Sequence, residues 1–465
     1  MYLPRICLAG THSGVGKTTL TLGLLAALRL RGLNVQPYKV GPDYIDTGLH
    51  KVAAGMVSHN LDSWMGSPEA IQSLFQKHSA TSELSLIEGV MGLYDGARGQ
   101  GEVGSTAQVA KILRTPVVLV FSAKGLARSA AALVAGYRHF DPNVNLVGVI
   151  ANGVGSQRHV DFIQEVIEGE LGLPLLGALK EDKGISMPAR QLGLLPAEEN
   201  KDLQQALIKL AAKVEDEINI DRLISLAQGA GDFPLVYPEN PSVFKTKVTL
   251  GVARDKAFNF YYQDSLDYLK ELGAEIHWFS PLEDSHLPAN IKGIYLGGGF
   301  PEEFLPTLAA NKALLADIKQ AAAYGMPIYA ECGGLMYLCK EIHSQSREVF
   351  PGAGLVPAKA IMGKKLAGLG YVKAKLLRKS ILGDAGLELR GHEFHWSSIS
   401  ELQDGQAFTL TGGRGQDNRP DGYIDGNILA TYVHLHFRYN PRAAENFLTA
   451  CAQYQGPGEN NGQFK

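Results

Sequence analysis

The sequence predicts an α/β protein built from two parallel-sheet domains in tandem, and three observations carry that prediction. Short apolar runs bounded by turn residues alternate with helix-periodic ones along most of the chain, as buried parallel strands and their covering helices do. The apolar run 6–9 passes through a glycine-rich turn into an apolar-periodic segment at 20–30. Far downstream, the run 327–330 meets a second sharp turn in which glutamate and cysteine precede two glycines.

Bulk properties narrow the class. At 465 residues the chain exceeds one ordinary core, so length predicts about two or three domains. A hydrophobic content of 45% with 20% charged residues describes a globular protein. Net charge is −3 and no Lys/Arg-rich block occurs, which argues against a nucleic-acid partner. Cys7, Cys332, Cys339 and Cys451 are scattered without metal-type spacing, which predicts a reducing compartment and no zinc site. No signal peptide and no membrane partner are expected, since no apolar run approaches about 18 residues. The expected location is the cytoplasm.

In the first half, Gly10-Thr11-His12-Ser13-Gly14-Val15-Gly16-Lys17-Thr18-Thr19 lies between a strand and a helix, the context a phosphate-binding loop requires. Gly14 and Gly16 let successive N–H groups turn toward one anion, and the helix N-terminus adds partial positive charge. Lys17 is placed for the terminal phosphates of ATP and the Thr18 hydroxyl for Mg²⁺. Position 11 is Thr where the usual spacing has glycine, so Gly10 stands one residue further out. Further strands are expected at 35–40, 84–87, 116–122 and 146–151. The motif 40–46 contains Asp43 and Asp46; these acids read either as metal contacts or as capping groups of a solvated turn. Glu88 ends a strand and is followed by glycine, which favours the metal reading, so Asp46 and Glu88 are the first choices for Mg²⁺. Asp95, on the next loop, and Asp43 are candidates for contact with the substrate or its activated intermediate. Asn152 at a strand end reads as a partner for the adenine edge or as a turn former. Lys39 and Arg190 read as anion contacts or as ordinary surface charges.

The region 198–228 reads as polar helix, and 233–247, with three prolines, as a linker. Second-half strands are expected at 247–253, 291–296, 326–330, 366–377 and 427–433, and the tail from 455 as disordered. These runs divide the chain into 1–195, an ATP-binding domain; 196–246, a helical segment and linker; 247–450, a second α/β domain; and 451–465, a tail. In Ala330-Glu331-Cys332-Gly333-Gly334 a strand runs into a turn with cysteine at its apex, which reads as a nucleophile elbow whose helix N-terminus favours the thiolate. A lone cysteine more commonly packs in a core; two further motifs weigh against that here. Gly297-Gly298-Gly299 ends an upstream strand, so backbone N–H groups near Gly298, Gly299 and Gly333 are candidates for an oxyanion hole. His434, in Val433-His434-Leu435-His436, supplies a strand-end base.

With these motifs in place the second half resembles the class I glutamine amidotransferase domain of the cobyrinate and cobyric acid synthases. The long first loop resembles that of dethiobiotin synthetase. The resemblance spans roughly residues 5 to 450. The ordered set 40–46, 60–65 and 87–95 is more similar to the cobyrinic acid a,c-diamide synthase branch than to cobyric acid synthases. It implies a P-loop, dethiobiotin-synthetase-like parallel-sheet domain followed by the amidotransferase domain, with Cys332 as nucleophile and His434 as its activating histidine. Most class I members carry Glu two residues after that histidine; here the position is His436, which implies a Cys–His dyad and leaves the third, orienting residue open. Gly391-His392-Glu393-Phe394-His395 also resembles a family motif and receives no catalytic role.

The implied activity is ATP- and Mg²⁺-dependent amidation of the a and c acetates of cobyrinic acid through an acyl phosphate, with L-glutamine or ammonia as nitrogen donor. Hydrogenobyrinate or a nickel tetrapyrrole, nickel sirohydrochlorin, stands as an alternative acceptor. A regulatory P-loop ATPase with an inert amidotransferase-like domain is the alternative from another class. A homodimer is compatible with the sequence, which does not determine the oligomeric state.

Overall fold

A computed structural model describes residues 1–180, 201–236, 247–400 and 402–456. Among these, 1–180 and 201–236 form one compact unit, and 247–400 with 402–456 form another. Arg190, most of the expected linker and the tail beyond 456 lie outside the described residues.

The first unit runs β1 (Arg5–Gly10), α1 (Lys17–Leu30), β2 (Val35–Val40), α2 (Ile45–Ala54), β3 (His59–Leu61), α3 (Pro68–Ser79), β4 (Leu84–Glu88) and α4 (Thr106–Ile112). It continues with β5 (Val117–Ser122), α5 (Ser129–Phe140), β6 (Leu146–Val154), α6 (Gln157–Leu171), β7 (Leu175–Lys180), α7 (Lys201–Glu217) and α8 (Ile220–Gln228). Its seven strands form one sheet in the order β3-β2-β4-β1-β5-β6-β7, with every pairing parallel. Strands β1, β2 and β4 are buried along their whole length, as parallel strands covered on both faces are. Strand order reverses at β1, and the crevice beyond the carboxyl ends there is where such sheets collect ligands. Buried Arg5 starts β1 and donates to the carbonyls of Leu3, Leu113, Arg114, Ala230 and Gly231, so its charge costs no unmet hydrogen bond.

The region read as polar helix is two amphipathic helices belonging to this unit. Leu203, Leu207, Leu210, Ala211 and Val214 are buried with the leucines of α1. The approach is close: a Cβ on Gly23 of α1 would lie 2.5 Å from Val214 Cγ2. Asn219, just past the first helix, caps the second by accepting from Arg222 N at 2.9 Å.

The second unit begins with β8 (Val248–Ala253), α9 (Gln263–Glu271), β9 (Ala274–Phe279), β10 (Gly293–Leu296), a 3₁₀ turn (Pro301–Phe304), α10 (Leu305–Ala310), α11 (Lys312–Ala323), β11 (Ile328–Glu331) and α12 (Gly333–Leu338). Then come β12 (Cys339–His343), β13 (Val349–Pro351), β14 (Val356–Met362), β15 (Gly368–Leu376), β16 (Glu388–His395), β17 (Ser397–Ser400) and β18 (Phe408–Gly412). The last elements are β19 (Arg419–Asp421), β20 (Tyr423–Asp425), β21 (Ile428–Thr431), β22 (His434–Leu435) and α13 (Pro441–Gln453). The central sheet, β20-β21-β11-β10-β8-β9, is parallel except for its β20 edge. Two further sheets, β13-β12-β14-β17 and β19-β18-β15-β16-β22, pair mostly antiparallel. Strands β14 and β15 alternate buried and exposed positions, a half-covered pattern that a search for continuous apolar runs passes over. Among the described residues, no helix is long and apolar enough to cross a membrane.

Candidate active sites

The phosphate loop leaves β1 at Gly10 and enters α1 at Lys17. Gly14 and Gly16 have φ of 82° and 97°, a left-handed backbone that glycine adopts without strain. Gly10 is needed for a different reason: a Cβ there would meet Val15 Cγ1 at 2.6 Å and Lys17 Nζ at 2.9 Å. The buried Lys17 ammonium folds back over the loop and donates to the carbonyls of His12, at 3.4 Å, and Met91, at 2.5 Å. Burial, with the charge of Lys39 behind it, lowers the Lys17 ammonium from its ordinary value, while Glu88 and Asp46 act against the shift. Thr11, in the place of the usual glycine, is buried and holds the strand edge by donating N–H to Val120 O at 3.0 Å. Thr19 is half-buried in the first turn of α1.

The acids chosen for the metal converge on Thr18. Its Oγ1 lies 2.6 Å from Glu88 Oε1 and 3.4 Å from Asp46 Oδ2. Lys39 Nζ bridges the same two carboxylates, at 2.6 Å from Asp46 and 2.7 Å from Glu88. Lys39 is 4% exposed, so the surface-charge alternative fails for it. His50 Nε2 sits 2.7 Å from the other Glu88 oxygen and its Nδ1 3.1 Å from Ser58 Oγ. Burial is the largest influence throughout this cluster. It pushes the Asp46 carboxyl up to about 6 against the pull of Lys39. At Glu88, burial also acts upward, but Lys39 and His50 outweigh it and hold the carboxyl well below the usual range. For the Lys39 ammonium, burial acts downward, and the two carboxylates overcome it.

Other sequence-derived candidates take different places. Asp46 lies in the first turn of α2, not at a strand end. Asp43 Oδ1 accepts from Asp46 N at 2.8 Å, which is the capping role. Exposed Asp95 accepts from Gly92 N at 2.9 Å and closes its own turn. Strand β6 continues through Asn152 instead of turning there. The Asn152 amide donates to Val15 O at 2.8 Å, and a Cβ on Gly16 would lie 2.3 Å from that nitrogen. Asn152 therefore braces the phosphate loop from behind. His50 was missed, since a lone histidine inside a helix carries no sequence signal.

In the second unit, β11 delivers Cys332 into a strained turn, with φ 47° and ψ −101°, a region few non-glycine residues occupy outside functional sites. Cys332 N donates to Thr431 O at 2.7 Å. The following glycines permit close packing: a Cβ on Gly334 would lie 2.4 Å from Leu296 O, and one on Gly333 would lie 2.9 Å from Pro301 Cδ and 3.3 Å from Gly299 N. Gly299, at φ 154°, packs against Ala257 O, which a Cβ would approach to 2.1 Å. Gly298 abuts the base: a Cβ there would lie 2.4 Å from His434 Cε1. Cys332, His434, Gly298, Gly299 and Gly333 thus share one locality. The motif at 391–395 lies on β16, which pairs with β22 so that His392 faces His434. The Phe394 carbonyl stands 3.9 Å from Cys332 Sγ.

Burial works against the expected thiolate. Burial, with Glu302 next, pushes the Cys332 thiol up from its ordinary value, while the Gly333 N–H pulls weakly the other way. Helix α12 has only six residues, too short for its N-terminus to offset the desolvation of a sulfur that is 5% exposed. The buried acid at Glu331 was also missed. Its Oε1 accepts from Tyr329 Oη at 2.6 Å and Leu435 N at 3.0 Å; its Oε2 accepts from Tyr295 Oη at 3.1 Å. The same Oε2 lies 3.8 Å from His434 Nδ1. An acid closing an otherwise apolar strand, beside a candidate nucleophile, is the signal that was available.

Comparison with known proteins follows this division. Residues 6–194 match the CobQ/CobB/MinD/ParA nucleotide binding domain, and residues 249–441 match the CobB/CobQ-like glutamine amidotransferase domain. A cobyrinate a,c-diamide synthase of Dehalococcoides mccartyi is 44% identical, covering 96% of this chain and 98% of the relative. The relative of the same name from Caldanaerobacter subterraneus is 41% identical, with 96% and 98% covered. That from Salmonella typhimurium is 42% identical, with 96% and 97% covered.

Proposed function

The chain belongs to the cobyrinate a,c-diamide synthase family, and we infer from its two sites how the reaction is divided between them. The protein is a glutamine-dependent carbon–nitrogen ligase that binds a nucleotide through its first unit and amidates the a and c acetates of cobyrinic acid in cobalamin biosynthesis. The observation that supports the division is that each unit gathers its own candidate residues: a phosphate loop with converging acids in one, a strained cysteine near a histidine in the other.

In the second unit Cys332 attacks the glutamine carboxamide carbon and its proton passes to His434. The oxyanion forms against the N–H groups near Gly333 and Gly299; one such donor is worth about 3–4 kcal/mol. The C–N bond breaks, His434 returns the proton to departing ammonia, and water hydrolyses the thioester to glutamate. In the first unit the γ-phosphoryl of ATP passes to an acetate carboxylate, giving ADP and an acyl phosphate. Ammonia then displaces phosphate and leaves the amide. A carboxylate oxygen is a poor leaving group, which is why ATP is required. Lys17 and the loop N–H groups hold the phosphates; Gly14 and Gly16 keep those groups turned inward.

Asp46 and Glu88 each lie within hydrogen-bond reach of the Thr18 hydroxyl, a hard oxygen set of two carboxylates and a hydroxyl that fits Mg²⁺. When bound, the ion neutralises phosphate charge during transfer. Lys39 pulls both carboxylates toward the ionised form, the form in which they would hold the ion. All four cysteines are free and buried, which supports a cytoplasmic location.

The test is Cys332→Ser. Glutamine-dependent amidation and glutaminase activity are expected to vanish while high ammonia at alkaline pH still yields the diamide, read by product mass. Loss of both routes in a folded variant overturns the two-site reading.

A further inference from the structure

A histidine that must take a proton from a thiol and return it to a leaving amine works only if its ring is held in one orientation and one tautomer. The residue two after His434 is His436, which is no acid and whose ring stacks on Tyr439 at 4.0 Å. The carboxylate that faces the base comes from another strand. We propose that Glu331, the residue immediately before the nucleophile, is the positioning residue of His434. This rests on the reading of Cys332 and His434 as the glutaminase pair.

Glu331 is 1% exposed in a layer that includes Tyr295, Tyr329, Leu435 and Phe437, where an ionised acid needs full hydrogen bonding. Three donors supply it: Tyr295, Tyr329 and the Leu435 N–H. The tyrosines are themselves fixed, with ring centroids 5.2 Å apart and Phe437 packed against both at 5.8 and 5.5 Å. The acid therefore cannot swing.

Its two oxygens then act on one neighbour. Oε1 grips the N–H of Leu435, which sets the main chain directly after His434. Oε2 faces His434 Nδ1 at 3.8 Å. Gly298 closes the third side, with room for a hydrogen but not for a methyl beside Cε1. One side chain thus holds the main chain after His434 and sets a carboxylate on the Nδ1 side of its ring. A carboxylate facing Nδ1 keeps the proton there and leaves Nε2 to accept the thiol proton. The 3.8 Å separation is looser than a hydrogen bond, as resting catalytic contacts commonly are, and it tightens as positive charge develops on the ring. The sequence also explains why the acid can come from here: Glu331 and Cys332 are adjacent, so the strand that presents the nucleophile also carries the group that aims the base.

Glu331→Gln preserves shape and most hydrogen bonds while removing the charge. The expected result is a fall in glutaminase kcat of about 10²-fold or more, with KM for glutamine changed by less than about 3-fold and ammonia-driven amidation unchanged. Glu331→Asp, which keeps the charge on a shorter arm, recovers part of the lost kcat. A glutaminase kcat within about 3-fold of the parent overturns the proposal, and so does a loss shared by ammonia-driven synthesis or confined to KM, since a purely architectural acid acts in those ways. If Glu331→Gln does not fold, Tyr329→Phe decides: removing one donor is expected to lower kcat several-fold at constant KM, and full kcat overturns the proposal. Failure of the underlying reading looks different, because then Cys332→Ser retains glutaminase activity.

Discussion

Gly298→Ala is expected to abolish most glutamine-dependent activity while leaving the fold and the ammonia-driven reaction intact. Gly298 is absent from the glycines with positive φ, so alanine's backbone is permitted there and the effect is steric alone. The new methyl would stand 2.4 Å from His434 Cε1, against about 3.5–4.0 Å for an ordinary carbon contact. The ring must therefore retreat by more than about 1 Å. It has no free direction: His434 is 1% exposed, the His392 ring is stacked 5.0 Å away, and Glu331 faces Nδ1. Overpacking of this kind costs about 1–3 kcal/mol of stability, and a 1 Å misplacement of a catalytic group costs about 10²-fold in rate. The backbone N–H at 298 survives the change, so base displacement is separated from loss of an oxyanion donor. Glutaminase kcat and ammonia-driven amidation, measured on the same preparation, provide the assay. A variant keeping glutaminase kcat within a few-fold of the parent would refute the placement of His434 against this glycine.

Three further outcomes are expected. Lys17→Ala should depress amidation about 10²-fold with either nitrogen source, because carboxylate activation precedes ammonia attack; an intact ammonia-driven rate removes Lys17 from the phosphate site. Asp46→Asn should raise the Mg²⁺ concentration needed for half-maximal rate. In the parent that requirement should climb as pH falls through about 6, where Asp46 takes up its proton; identical Mg²⁺ titrations at pH 5.5 and 7.5 would contradict this. Burial raises the Glu302 carboxyl from 4.5 to about 7, so the folded state holds that proton more tightly than the unfolded chain. The associated stability is full below 4.5 and lost as pH rises through about 7, a span on the order of 3 kcal/mol. The Tm advantage of Glu302→Gln over the parent should therefore grow from pH 5 to pH 8, and an advantage independent of pH would exclude a raised Glu302.

What the sequence determined by itself was everything written in local pattern. The strand–glycine–helix order around Lys17 and the elbow at Cys332 depend on residues within about ten positions of each other, and so does the near-continuous burial of β1, β2 and β4. Glycine spacing and apolar runs encode them directly. Charge burial was decided only by the tertiary structure. Lys39 and Arg190 looked alike as isolated cations; β2 and β4 lie side by side and enclose Lys39 with Glu88 and Asp46, a pairing of residues 49 apart in the chain. Asn152 and Asp43 carried signals that chemistry alone cannot resolve, since one amide serves adenine or a loop carbonyl equally well and one carboxylate serves metal or a helix end. In the fold Asn152 donates to Val15 and Asp43 accepts from Asp46, contacts that no local pattern announces. The same holds for Cys332. Its position at a turn is local, but its protonation depends on how completely β21, the 297–301 loop and β16 close around the sulfur, and desolvation is a property of the packed interior that no run of residues expresses. Glu331 was in plain view beside the cysteine, yet Leu435, whose N–H it accepts, lies 104 residues on, and the pairings of β11 with β21 and of β16 with β22 bring the chain at His434 to the carboxylate.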